Sequence, residues 1–104
     1  MTNFVLAYKG GRVATTDEER QQAMAAWGAW FGGLGDAVVD AGNPFGASRS
    51  VGSDGSVANG GSTGLSGYSI LSASDLEAAV AGAQSCPILQ SGGSIEVYEV
   101  TPIM

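Results

Sequence analysis

The chain contains no histidine, and only four of its 104 residues are basic against ten that are acidic. The first absence removes the one side chain that titrates near neutrality without help, and with it the usual general base and the commonest metal ligand. The second leaves a formal charge of -6, which repels polyanions, so neither nucleic acid nor an anionic membrane is an expected partner. A single cysteine, Cys86, excludes an intrachain disulfide. Long apolar runs are also missing. The stretch Phe4 to Tyr8 near the start is too short for a signal peptide or a membrane span, so a reducing cytoplasm is the expected compartment. The length fits one domain over residues 1–104, large enough for a core but near the lower limit for a self-sufficient one.

Within those bounds the residues fall into a regular order. Asn3 to Tyr8 reads as a strand closed by Gly10-Gly11. Thr16 and Glu19 have the spacing of a capping box, and Met24, Trp27, Phe31, Leu34 and Val38 recur at steps of three and four, one apolar stripe at about 100° per residue. A long helix over 17–41 is therefore expected, ended by Gly42-Asn43-Pro44. Gly28, Gly32 and Gly35 run along one edge of the stripe, where each costs about 1 kcal/mol against alanine. The expected compensation is close approach of another backbone, from the sheet beneath or from a neighbouring subunit.

Phe45 to Val51 is a weaker strand, Ser53-Asp54-Gly55-Ser56 a turn, and Val57 a residue that pairs back across it. From Gly52 to Gly67 the chain is glycine- and serine-rich without a lysine, which reads as a loop and not as a phosphate cradle. Tyr68 to Leu71 forms the next strand. Ser74 and Glu77 suggest a second capping box before a short helix through Leu76, Ala79, Val80 and Ala83. Cys86-Pro87 stops that helix, Gly92-Gly93 turns the chain, and Ile95 to Val100 is the last strand.

The order strand, helix, strand, strand, helix, strand is the ferredoxin-like α+β pattern, an antiparallel sheet with two helices on one face. Two helices cover only one side of such a sheet. Phe4, Leu6 and Tyr8 alternate with Val5 and Ala7, and Ile95 and Val97 alternate with Glu96 and Tyr98, so apolar groups stand on both faces. Stacking the open faces of two chains into a dimeric α/β barrel resolves the conflict.

Several segments share a further likeness. The opening strand, Trp27-Gly28-Ala29-Trp30-Phe31, Gly42-Asn43-Pro44-Phe45-Gly46, Ser48-Arg49, Gly67-Tyr68, Cys86-Pro87 and Gly92-Gly93-Ser94-Ile95-Glu96-Val97 together resemble the YCII-related family, particularly its DGPF-type branch. The resemblance spans nearly the whole chain and implies the dimeric barrel. It also implies a histidine on the first helix and an aspartate before the proline after the second helix, where enzymatic roles have been proposed. Here the helix has no histidine, Cys86 precedes Pro87, and Ile88 follows it, so that pair of catalytic groups is absent.

The remaining candidates are few. Cys86 lacks a histidine to form thiolate and reads as a buried filler. Asp36 and Asp40, four apart on the expected helix, read as a solvated face in preference to a metal pair. Glu96 and Glu99 fall on opposite faces of their strand and so make no carboxylate pair. Trp27, Trp30, Phe31 and Tyr68 read as core and interface aromatics, with Trp30 about 60° off the stripe and so placed for a pocket edge or a subunit contact. Tyr8, Ser48, Arg49 and Tyr68 are the ligand-binding candidates, Arg49 because a guanidinium can grip a carboxylate through two hydrogen bonds. No catalytic residue, metal ligand or cofactor is expected. Three functions stay open: a non-catalytic homodimer binding a small acidic or aromatic molecule, a cofactor-free isomerase, lyase or monooxygenase acting on such a molecule, and a structural dimer without a pocket.

Overall fold

A computed structural model of the chain describes residues 1–61 and 63–103. Strand β1 (Thr2–Lys9) alternates the buried Phe4, Leu6 and Tyr8 with the half-buried Val5 and Ala7. Helix α1 (Asp17–Leu34) begins at the expected capping box. The Glu19 N–H donates to the Thr16 hydroxyl at 3.1 Å, and Glu19 Oε1 accepts from the Thr16 N–H at 3.2 Å. The Thr15 N–H and hydroxyl, with the Thr16 N–H, donate to the Glu19 carboxyl and hold it below its ordinary pKa.

The helix ends at Leu34, seven residues short of the expected end at Ala41. Gly35 takes a φ of +56°, its N–H donates to Phe31 O, and a 3-10 turn over Gly35–Ala37 leads into strand β2 (Val38–Asp40). Gly32, Gly33 and Gly35 weaken helix propagation while the β-branched pair Val38-Val39 favours an extended chain, so Val38 continues the stripe by spacing alone. Asp36 and Asp40 consequently sit on different elements. A further correction concerns the glycine edge: a Cβ added at Gly28, Gly32 or Gly35 would meet nothing within 4 Å, so the sheet does not approach it.

Strands β3 (Arg49–Val51) and β4 (Val57–Asn59) form a separate hairpin in which Val51 pairs with Val57, as the Asp54-Gly55 turn requires. The expected strand over 45–51 thus shrinks to its last three residues, and the expected loop over 52–67 is part hairpin. Ser62, within that stretch, lies outside the described residues. Strand β5 (Leu65–Ala73) is longer than its apolar centre. Helix α2 (Leu76–Ala83) is capped by Asp75, whose Oδ1 accepts from the Ala78 N–H at 2.8 Å, one residue after the expected Ser74. Cys86-Pro87 opens a 3-10 turn over Pro87–Ser91, and β6 (Ser94–Glu99) ends the fold.

β1, β2, β5 and β6 form one antiparallel sheet in the order β2-β5-β1-β6. Leu6, Tyr8 and Leu71 on one face pack with Trp30, Ala83, Cys86 and Ile88, and both helices lie on that side. The other face presents Val5, Ala7, Tyr68, Ile70 and Tyr98 and carries no helix. The sheet is open and does not close on itself as a barrel. The molecule measures 44 × 43 × 18 Å, two layers thick. Its radius of gyration of 15.1 Å exceeds the roughly 13 Å of a compact chain this long.

Candidate binding cleft

Helix α1 touches the sheet through few side chains. Trp30 is the only α1 residue buried to the core level, at 8 % exposure, and its Nε1 donates to Gly82 O at 3.0 Å, fastening α1 to α2. This is a core role, with one ring edge bordering a shallow hollow beside Pro87. N-terminal to Trp30 the helix is mostly exposed, with Met24 at 74 %, and a gap remains between it and the sheet. The gap is a cleft of ≈ 440 Å³ walled by Met24, Trp27 and Phe31 on α1, Tyr8 and Ser69 on the sheet, and Ile88 at its base. Its outer rim is the loop Ala41 to Pro44 against Ser66 and Gly67.

The loop can reach the sheet because of two glycines. A Cβ at Gly42, whose φ is +76°, would lie 1.7 Å from Tyr68 O, and one at Gly67 would lie 3.1 Å from Asn43 O. The contact is held by hydrogen bonds from Tyr68 N–H to Asn43 O at 3.3 Å and from Phe45 N–H to Ser66 O at 2.9 Å. Aromatic edges line the inner wall. Trp27 meets Tyr8 edge-on at 5.3 Å between ring centroids and lies 5.8 Å from Phe31.

At the back of this apolar wall runs a short hydrogen-bonded chain. The Tyr8 hydroxyl donates to Ser69 Oγ at 2.7 Å, and Ser69 Oγ donates to Ala41 O at 2.7 Å. Ser69 is fully buried, so this arrangement satisfies a polar group that would otherwise be costly. Burial raises the Tyr8 phenol well above its ordinary pKa, and burial likewise raises the Cys86 thiol beside it. Both therefore keep their protons at neutral pH. Ser66, on the rim, has a hydroxyl oxygen sealed from solvent with no hydrogen-bond partner among the described residues.

Of the four residues singled out as ligand candidates, only Tyr8 turns its side chain into the cleft. Tyr68 borders it through its place in β5, but it pairs with Ala7 while Gly67 pairs with Tyr8, so its ring stands on the opposite face of the sheet. There it stacks on Phe45 at 5.8 Å, and its hydroxyl donates to Asp40 Oδ2 at 3.2 Å. Ser48 and Arg49 belong to the hairpin and do not line the cleft of their own chain. Ser48 Oγ accepts from the Gly61 N–H at 2.8 Å, and Arg49 Nη1 donates to Ser48 O at 2.7 Å. The structure adds Ser69 and Ser66, which sequence reasoning passed over. The signal for Ser69 was its place between Tyr68 and Ile70 at the centre of the strand, where a buried serine must find a partner.

Cys86 is 1 % exposed and packs in the core, as a buried filler. Glu96 pairs with Ala7 and Glu99 with Phe4, which puts the two on opposite faces as expected. Among the described residues no three metal-ligating side chains come together, and no helix is long and apolar enough to cross a membrane. No family model matches the chain, and neither a curated protein nor a solved structure matches it.

Proposed function

We propose that the protein is a non-catalytic, small-molecule-binding homodimer of the YCII-related kind, with the cleft beneath α1 as its ligand site. The order β2-β5-β1-β6, with helices after the first and third strands of the sheet, supports the ferredoxin-like reading, and the uncovered apolar face supports pairing of two such sheets into a dimeric barrel. The observation that carries the binding reading is the cleft itself, whose ≈ 440 Å³ is walled by aromatic and aliphatic groups with hydroxyls at one end. Ligand pockets have this make-up, an apolar lining with a few placed polar groups. The same hydroxyls favour binding over catalysis. Tyr8 holds its proton and has already committed it to Ser69, so it is not a base, and Cys86 is a protonated, buried thiol.

A thermal-shift series with small aromatic acids and ketones tests this. A ligand at a hundred times its dissociation constant stabilises by about 2.7 kcal/mol, roughly 10 °C for a chain of this size. The shift should disappear in Ala23→Trp, which fills the cleft from the exposed wall of α1. No shift with any such compound, or an equal shift in Ala23→Trp, would remove the cleft as the binding site.

A further inference from the structure

Among the described residues, the hairpin of β3 and β4 packs closely on no other strand or helix. Val51 and Val57, opposite each other in register, are 71 % and 66 % exposed, and Arg49 shares their face. A two-stranded hairpin standing alone in water is marginal at best, and two paired valines are the wrong residues for a solvated tip. The area agrees. The chain exposes 6953 Å², whereas a compact monomer of 10.4 kDa exposes about 5,400 Å². The excess of roughly 1,500 Å² is more than the ~800 Å² that each partner of a standard interface covers.

The stem shows which way the arm leaves. Pro44 pairs with Gly67, and Phe45, the first residue beyond that bridge, stacks on the ring of Tyr68, which belongs to the uncovered face of the sheet. The hairpin thus departs from the side where Val5, Ala7, Ile70 and Tyr98 have no cover. A single arm cannot lie flat on the strands from which its own stem emerges without reversing at that stacked pair. It can lie on the equivalent face of a second copy related by a two-fold axis, which then returns its own arm.

We infer that the hairpin is a dimerisation arm: Val51 and Val57 of one copy pack on the open sheet face of the other. This rests on the homodimer reading and adds to it the element that completes the interface.

Sedimentation velocity over a micromolar dilution series tests both levels, using the native chain, Val51→Lys/Val57→Lys and Val5→Lys. Added lysines lower the repulsion between two chains of net charge -6, so electrostatics alone would tighten the hairpin variant's dimer. The expected result is the opposite: its dimer dissociation constant rises at least ten-fold while circular dichroism keeps the sheet signal. Val5→Lys should weaken the dimer too. Weakening by Val5→Lys alone would overturn the arm and leave a dimer built on sheet faces only. A native chain that sediments as a monomer throughout would overturn arm and dimer together.

Discussion

Ser69 is the residue on which the cleft wall depends. It accepts from Tyr8 and donates to Ala41 O, so one hydroxyl holds the rim loop against the sheet and satisfies the phenol O–H in the core. Removing it strands both neighbours. Ser69→Ala should cost about 1–3 kcal/mol for the buried hydroxyl left unpaired, whereas Tyr8→Phe, which leaves Ser69 bonded to Ala41 O, should cost only the net value of one hydrogen bond, about 0.5–1.5 kcal/mol. Urea unfolding of the two variants checks the order, and equal losses would show that the chain is not the support it is taken for here. The same groups set the response to alkali. Tyr8 and Cys86 both have raised pKa values in the folded state, so the stability they contribute is present below their ordinary values of 10.0 and 9.0 and is lost as pH climbs beyond them. The urea midpoint should fall above pH 9, less steeply in Tyr8→Phe. At this scale the sequence was partly legible. Tyr8 could be named from its place in an apolar strand, but the face Tyr68 occupies depends on its register against Ala7, which only the paired strands fix.

Helix α1 is fastened to α2 by Trp30 on Gly82 near its finish, whereas the Thr16–Glu19 box at its start bonds only within the helix's own first turn. The exposed stretch N-terminal to Trp30 is what leaves room for the cleft. Gly32 lies on the outer side with nothing within 4 Å of an added Cβ, so Gly32→Ala should stabilise the chain by up to about 1 kcal/mol through helix propensity. A loss of stability that grows with protein concentration would mean that a second copy packs on this edge, the alternative left open when the sheet proved distant. The capping box and the Asp54-Gly55 turn were readable because each rests on side chains a few residues apart. The end of α1 was not. Val38 fits a 3.6-residue stripe and a strand equally well, and the decision fell to the +56° φ at Gly35 and to a pairing with Leu71 more than thirty residues away. Asp75 displaced Ser74 as the α2 cap for a similar reason, since the length of β5 decides where the helix can start.

As a whole the molecule is a two-layer fold with one bare apolar sheet face, a cleft beneath helix α1, and a hairpin that, among the described residues, packs closely on no other strand or helix. Its extent is 44 × 43 Å against a thickness of 18 Å. Order along the chain was enough to anticipate the antiparallel sheet with its two helices, because those elements follow from local periodicity and caps. The bare hairpin was not foreseeable, because its exposure is defined by what fails to pack on it. The most direct test of the account is the mass of the unmodified chain by sedimentation equilibrium at micromolar concentration. The account predicts a species of twice the 10.4 kDa chain mass, and a single species at the chain mass throughout would contradict it.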